Sequence, residues 1–334
     1  MTADRRVHMK KLLMIFNPRA GKNRSREKQD NLLRVFKQYG FAVTEKTTTC
    51  VGDATEIIKH NLNNHDLIVC CGGDGTFNEA INGIMSMKSK VPLMYVPMGS
   101  TNDLANTIGV TKDVESQIDL FLNGYINDYD IGRFNDNYFS YVASFGVASD
   151  LSYTTSQKMK NVLGHAAYVL DGFIFRFPQQ VKNMKPYHMR IEYDGNVIED
   201  DFYFGAVSNT NEVGGIFKFD NCNVKLNDGK FEVLLVRKLR GVPDAFYLLK
   251  KIRAQDYDGD RIVNFKASSL KIECSRDTAW TLDGEFGGNH RNVEISIENS
   301  AVNIVSPPSK YFITDKKIVR KPEPVFDDED IEDK

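Results

Sequence analysis

The chain has 334 residues, 41% of them apolar and 26% charged, which is the balance of a folded globular protein and enough length for two domains. Its net charge is −2, but the tail 326–334 holds six acids against one lysine; that −5 leaves the rest of the chain at +3. A slightly basic body suits anionic substrates or an anionic membrane surface, and the bias is too weak to argue for nucleic acid.

Lys11–Phe16 reads as a strand, stopped by Asn17-Pro18-Arg19-Ala20-Gly21. Ser25 can cap a helix whose Leu32, Leu33, Phe36 and Tyr39 share one face, with Gly40 just past its end. Phe41–Thr48 is a second strand, and 53–62 a helix with Ala54, Ile57, Ile58 and Leu62 inward. The short apolar run Asp66–Cys70 is a buried strand that ends in Cys71-Gly72-Gly73-Asp74-Gly75-Thr76-Phe77-Asn78-Glu79 and passes into a helix. Val91–Val96 is another strand, ended by Pro97-Met98-Gly99-Ser100-Thr101-Asn102-Asp103, and helical segments follow to Leu122. This alternation predicts an α/β domain built on a parallel sheet.

Near Asp128 the pattern changes. Phe134-Asn135-Asp136-Asn137 and Asp194-Gly195-Asn196 read as hairpin turns, and 155–177 as an unusually aromatic helix. Strands then dominate: Phe231–Val236, Ser269–Cys274, Val293–Ile297 and Val302–Val305, the last two joined by Glu298-Asn299-Ser300. The reading is an all-β C-terminal domain, a sandwich. The expected division is an extension over 1–9, an α/β domain over 10–128, a β-sandwich domain over 129–309, and a charged, periodless and disordered tail over 310–334.

Five cysteines, two of them adjacent at Cys70 and Cys71, are not a disulfide framework, and none has zinc spacing. The N-terminus lacks the apolar core of a signal peptide, and no run reaches the ~18 apolar residues of a membrane span. The expectation is a cytoplasmic protein.

Three chemically odd loops close parallel strands and therefore converge on one sheet edge, where open α/β sheets bind ligands. Asn17–Gly21, backed by Lys22, Arg24 and Arg26, pairs turn formers with positive charge; it fits a triphosphate or a solvated basic turn. Gly73–Glu79 puts glycines and a carboxylate where a phosphate can approach backbone and helix N-terminus. In the third loop Asp103 adds a second carboxylate; alone it would pass for a helix cap, but with Asp74 it could hold a hydrated magnesium against phosphates. A fourth loop, Asp283-Gly284-Glu285-Phe286-Gly287-Gly288, is either a turn with solvated acids or the source of a base.

Together, Asn-Pro-Arg-Ala-Gly, Gly-Gly-Asp-Gly-Thr-Phe-Asn-Glu, Pro-Met-Gly-Ser-Thr-Asn-Asp-Leu-Ala, Leu-Asn-Asp-Gly-Lys-Phe and Leu-Asp-Gly-Glu resemble, over about residues 10–308, the soluble bacterial diacylglycerol kinases and their lipid-kinase relatives. These share a fold with NAD kinases. The resemblance implies an ATP-dependent, magnesium-requiring kinase that converts diacylglycerol to phosphatidic acid. It implies that Asn17, Pro18, Arg19, Ala20, Gly21, Thr48, Gly73, Asp74, Gly75, Thr76, Phe77, Asn78, Glu79 and Ser100 line the ATP site. Asp74 and Asp103 would anchor the catalytic magnesium, with Asp130 a third acid of that network. Glu285 would be the general base, with Asp283 beside it. A separate structural magnesium would use the Asp228 carboxylate and the carbonyls of Lys225 and Lys230; Asn223 and Asn227 depart from the family pattern there. The resemblance also implies a homodimer and a peripheral contact with the inner face of the membrane. Ala166–Pro178, with Tyr168, Phe173, Phe175 and Phe177 and the nearby Lys158, Lys160, Arg176, Lys182 and Lys185, is the candidate lipid-facing segment or else an ordinary core helix. The alternatives are an NAD kinase, for which Asn211-Glu212 would hold a ribose, and a non-catalytic lipid- or nucleotide-sensing module.

Overall fold

The computed structural model describes residues 10–21, 25–99, 102–146, 185–213, 217–219 and 223–313. The expected aromatic helix and lipid-facing segment, Lys22, Arg24, Ser100, Gly214, Gly215 and most of the acidic tail lie outside the described residues.

The first half alternates as its apolar pattern requires: β1 (Lys10–Phe16), α1 (Ser25–Gln38), β2 (Phe41–Thr47), α2 (Asp53–Asn61), β3 (Leu67–Gly72), α3 (Asp74–Ser86) and β4 (Leu93–Pro97). β1 lies between β2 and β3, β3 lies beside β4, and each of these pairings is parallel. The centres of β1, β3 and β4 are buried continuously, as expected of strands covered on both faces. Helices α4 (Asp103–Ile108) and α5 (Val114–Asn123) complete this half. Asp113 caps α5, its carboxylate accepting from the Ser116 amide at 2.8 Å.

The second half is strand-rich and mostly antiparallel: β5 (Tyr125–Phe134), β6 (Asn137–Phe139), β7 (Val142–Gly146), β8 (Tyr187–Tyr193), β9 (Asn196–Ser208), the short pair β10 (Glu212–Val213) and β11 (Phe217–Lys218), β12 (Phe231–Arg237), β13 (Ile262–Ala267), β14 (Ser269–Leu282) and β15 (Glu285–Ser306). Strands β7, β9, β8 and β14 pair in a closed circuit, and they supply many side chains of a second apolar core around Trp280, Phe145 and Phe202.

Three expectations need correction. The second half is not purely β, because α6 (Val242–Arg253) packs Ala245, Leu248 and Ile252 into the larger core. Nor is it a separate sandwich by hydrogen bonding. The end of β15 pairs in parallel with β4, so among the described residues thirteen strands form one continuous sheet, and β5 passes through position 128 unbroken. Glu298-Asn299-Ser300 is not a turn between two strands. Both flanks pair with β5, Glu298 opposite Ile131 and Val302 opposite Tyr129, so the segment is a bulge in one long strand. Asp130 holds that bulge: its carboxylate accepts from the Ser300 amide at 2.5 Å.

Candidate active site

The parallel strands set the site's floor. Gly72 and Pro97 are partners at the carboxyl ends of β3 and β4, and Asn17 follows β1 with its amide on the Cys71 carbonyl at 2.9 Å. Three loops therefore emerge side by side. They touch backbone to backbone: a Cβ on Gly99 would stand 2.8 Å from the Gly73 Cα, and one on Gly21, at φ +85°, 2.9 Å from the Met98 carbonyl oxygen. Side chains finish the join. Asn17 Nδ2 donates to Thr76 Oγ1 at 2.8 Å, and its Oδ1 accepts from the Arg19 amide at 2.9 Å. Asn102 folds over its own loop, exchanging bonds with the Gly99 amide and carbonyl.

Asp74 opens α3 and Asp103 opens α4. The Asp74 carboxylate accepts from the amides of Asn102 and Asp103, and the Tyr95 hydroxyl lies within 3.5 Å of it. Burial pushes the Asp74 carboxyl up despite those amides. It pushes Asp103 to about 7, with Asp74, Glu212 of β10 and Asp283 all adding negative charge. Two half-buried carboxyls that repel each other hold an excess of negative potential, which a divalent cation would relieve. Among the described residues no three acidic, histidine or cysteine side chains are arranged to enclose a metal. The two carboxylates could hold a magnesium that keeps several of its waters.

The fourth loop reaches this edge from the other half. Asp283 and Gly284 form a two-residue turn between β14 and β15, with Leu282 opposite Glu285 and φ of +51° and +83°. That is the turn an Asp-Gly pair favours, because both positions need positive φ. Asp283 is buried, and five donors converge on its carboxylate. They are the Asn78 amide group on α3, the Ser140 amide and hydroxyl at 2.6 and 2.7 Å, and the amides of Tyr141 and Val142 at 2.9 and 3.0 Å. The reading of the Asp283-Gly284-Glu285 loop as a turn with solvated acids gives way, for Asp283, to a buried tie between the glycine-loop helix and the second half. Glu285 is exposed and lies only two residues, at most about 7 Å of chain, from this tie.

Residues 11–134 match the family model for the diacylglycerol kinase catalytic domain. The diacylglycerol kinase of Bacillus subtilis (strain 168) is 33% identical over 282 residues, which cover 84% of this chain and 91% of the relative. The chain belongs to the diacylglycerol kinase family. The diacylglycerol kinase of Staphylococcus aureus (strain MRSA252) is 30% identical over 304 residues, 88% of this chain and 94% of the relative. A solved structure from Bacillus anthracis str. Sterne, provisionally assigned as a diacylglycerol kinase, superposes with a TM-score of 0.76 at 26% identity over 90% of this chain and 97% of its own. As a member of this family, the chain is an ATP-dependent lipid kinase.

Other expected site residues of the kinase sit in distinct surroundings. Thr48 is buried at the end of β2, its amide bonded to the Phe16 carbonyl at 2.9 Å. Glu79 takes the Gly52 and Ala54 amides at 2.8 and 3.1 Å, so its carboxylate caps α2. Phe77 is buried and packs on Tyr95, ring centroids 4.4 Å apart, while Gly75 is exposed. Asp130 answers to a separate region: besides Ser300, its carboxylate accepts from the Gly229 amide at 2.7 Å. Asp228 and Lys230 belong to that same region, where Lys230 donates its amide to Asp228 at 3.1 Å. The Lys225 ammonium reaches the Lys310 carbonyl at 2.5 Å.

Sequence reasoning missed Tyr95 and Tyr141, and considered Glu212 only as half of a ribose-binding pair, not as a neighbour of Asp103. The Tyr141 phenol is buried, and besides that burial Asp103, Asp283 and Asp74 push its pKa up, so it lies among all three acids. Tyr141 carries no motif signal; only its amide on Asp283 shows why it stands there. No helix among the described residues is long and apolar enough to cross a membrane.

Proposed function

We propose that this kinase transfers the γ-phosphoryl group of ATP to the free hydroxyl of diacylglycerol, giving phosphatidic acid and ADP. The observation that carries the reading is the tie between Asp283 and Asn78, which joins the turn that bears the exposed Glu285 to the helix that Asp74 opens. The lipid oxygen attacks the γ-phosphorus, the bond to the β-γ bridging oxygen breaks, and the hydroxyl proton passes to Glu285. Asn17, Arg19 and the backbone of Gly73 to Thr76 hold the phosphates at the N-terminus of α3. Asp74 and Asp103 would hold magnesium, which would supply charge neutralisation to the phosphates. Asp283 acts through position, fixing the turn that presents Glu285. The lipid arrives from a membrane surface that the protein contacts peripherally, on the cytoplasmic side.

Asn211 donates to the Tyr311 hydroxyl at 2.7 Å, and the neighbouring Asn209 gives its amide hydrogens to the carbonyls of Asp130 and Leu226. Asn209 thus spends its amide hydrogens within the protein, and Asn211 one of its two. The deciding assay offers labelled ATP and magnesium to diacylglycerol in mixed micelles and, separately, to NAD. Labelled phosphatidic acid is expected, with the rate lowered by about 10²–10⁴ in Glu285→Gln and ATP affinity kept. Labelled NADP without lipid product would overturn the substrate; a full rate in Glu285→Gln would overturn the base.

A further inference from the structure

The residues that the family resemblance assigns to a second, structural magnesium do not fit that role in this chain. Lys266 on β13 faces Glu232 on β12 as its direct cross-strand partner. Its ammonium lies 3.0 Å from Glu232 Oε1 and 3.2 Å from Asp228 Oδ2, and donates to the Asn223 carbonyl at 3.1 Å. The Asn223 carbonyl and the Asp228 oxygen accept hydrogen bonds from it, and Glu232 is its ion-pair partner. The other oxygen of Asp228 accepts from the Lys230 amide, so each oxygen of that carboxylate already has a partner within the protein. Glu232 is almost wholly buried, its side chain 2% exposed, and burial drives its carboxyl up while Lys266 draws it down.

We infer that Lys266 is a built-in cation at this turn: its ammonium joins Asp228, Glu232 and the Asn223 carbonyl where relatives are expected to hold a structural magnesium. The reason is electrostatic. A buried Glu232 beside Asp228 needs a positive partner, and the strand register places one opposite it. The side-chain cation stays in place at any magnesium concentration. Asp130 extends the effect, because its carboxylate binds the Gly229 amide of the same turn and the Ser300 amide of the β15 bulge. Lys266 thereby fixes the turn on which Asp130 bridges β5 and β15. This inference concerns the second site alone and is independent of the catalytic reading.

The test uses manganese as the probe. Crystals of the full chain soaked in manganese are expected to give no anomalous peak at Asp228, whatever they show at Asp74 and Asp103. A peak within coordination distance of the Asp228 carboxylate would overturn the inference. Thermal melts with and without magnesium supply a second reading, comparing the parent with Lys266→Met. The variant, left with two uncompensated acids, is expected to melt several degrees lower and to gain more from magnesium than the parent does. The difference between the two gains cancels any contribution from Asp74 and Asp103, which both proteins share. Equal gains, or a parent that alone depends on magnesium to stay folded, would also overturn it.

Discussion

Replacing Asp283 by alanine removes one carboxylate from five converging donors. Three of these are backbone amides of Ser140, Tyr141 and Val142, which cannot rotate away. Each buried orphan amide costs at least about 1 kcal/mol, so about 3 kcal/mol is a floor. Position 283 also sits at φ +51°, a conformation that Asp and Asn tolerate and that costs alanine roughly 1 kcal/mol more. The total of about 4 kcal/mol corresponds to a drop of roughly 6 °C in Tm for a chain of 334 residues. Asp283→Asn keeps the backbone geometry and one acceptor oxygen but turns an amine toward donors, so it should fall between parent and alanine. Circular dichroism melts of the three proteins, with urea midpoints as a second measure, read this order. Parent-like melting of Asp283→Ala would refute the account of Asp283 as a buried tie. A split in which Asp283→Asn folds, keeps its KM for ATP and loses kcat would show that the tie also positions Glu285.

Other outcomes follow from the same geometry. Asp103, with its folded-state pKa raised to about 7, keeps a proton that the unfolded chain has lost. Its contribution is therefore full below the unfolded carboxylate value and is lost as pH rises through about 7. Without metal, Asp103→Asn should gain Tm over the parent progressively from pH 5 to pH 8 while losing kinase activity; a gap that does not widen with pH would contradict this. Manganese binding to the parent should weaken about tenfold from pH 8 to pH 6, as Asp103 takes up its proton, and calorimetry reads that change. Gly99→Ala should raise the KM for ATP and lower Tm, because its methyl would press on Gly73 at 2.8 Å. Glu79→Ala should cost about 1–2 kcal/mol through the lost cap of α2 and leave the catalytic carboxylates in place, as denaturation midpoints and kcat at saturating ATP would show.

Much of this architecture is legible in the chain because local rules carry it. Short β-branched runs followed by glycine and an acid give β3 with α3, and Asp283-Gly284 specifies a hairpin by its need for positive φ. The sheet edge that gathers Asn17, Asp74 and Asp103 follows from strand alternation alone. Sequence does not show where a carboxylate spends its lone pairs. Glu79, Asp130 and Asp283 read alike as acids near motifs, yet one caps a helix, one holds a strand bulge and one joins the two halves. The bulge at Glu298–Ser300 looked like a turn because pairing to a common partner, β5, is a non-local fact. The same holds for Lys266, whose opposite number Glu232 is fixed only by β12–β13 register. Periodicity and turn chemistry, being properties of neighbours in sequence, determined the elements and the sheet edge where the loops of Asn17, Asp74 and Asp103 meet. Which acid meets which donor depends on residues far apart in the chain, so tertiary packing alone decided it.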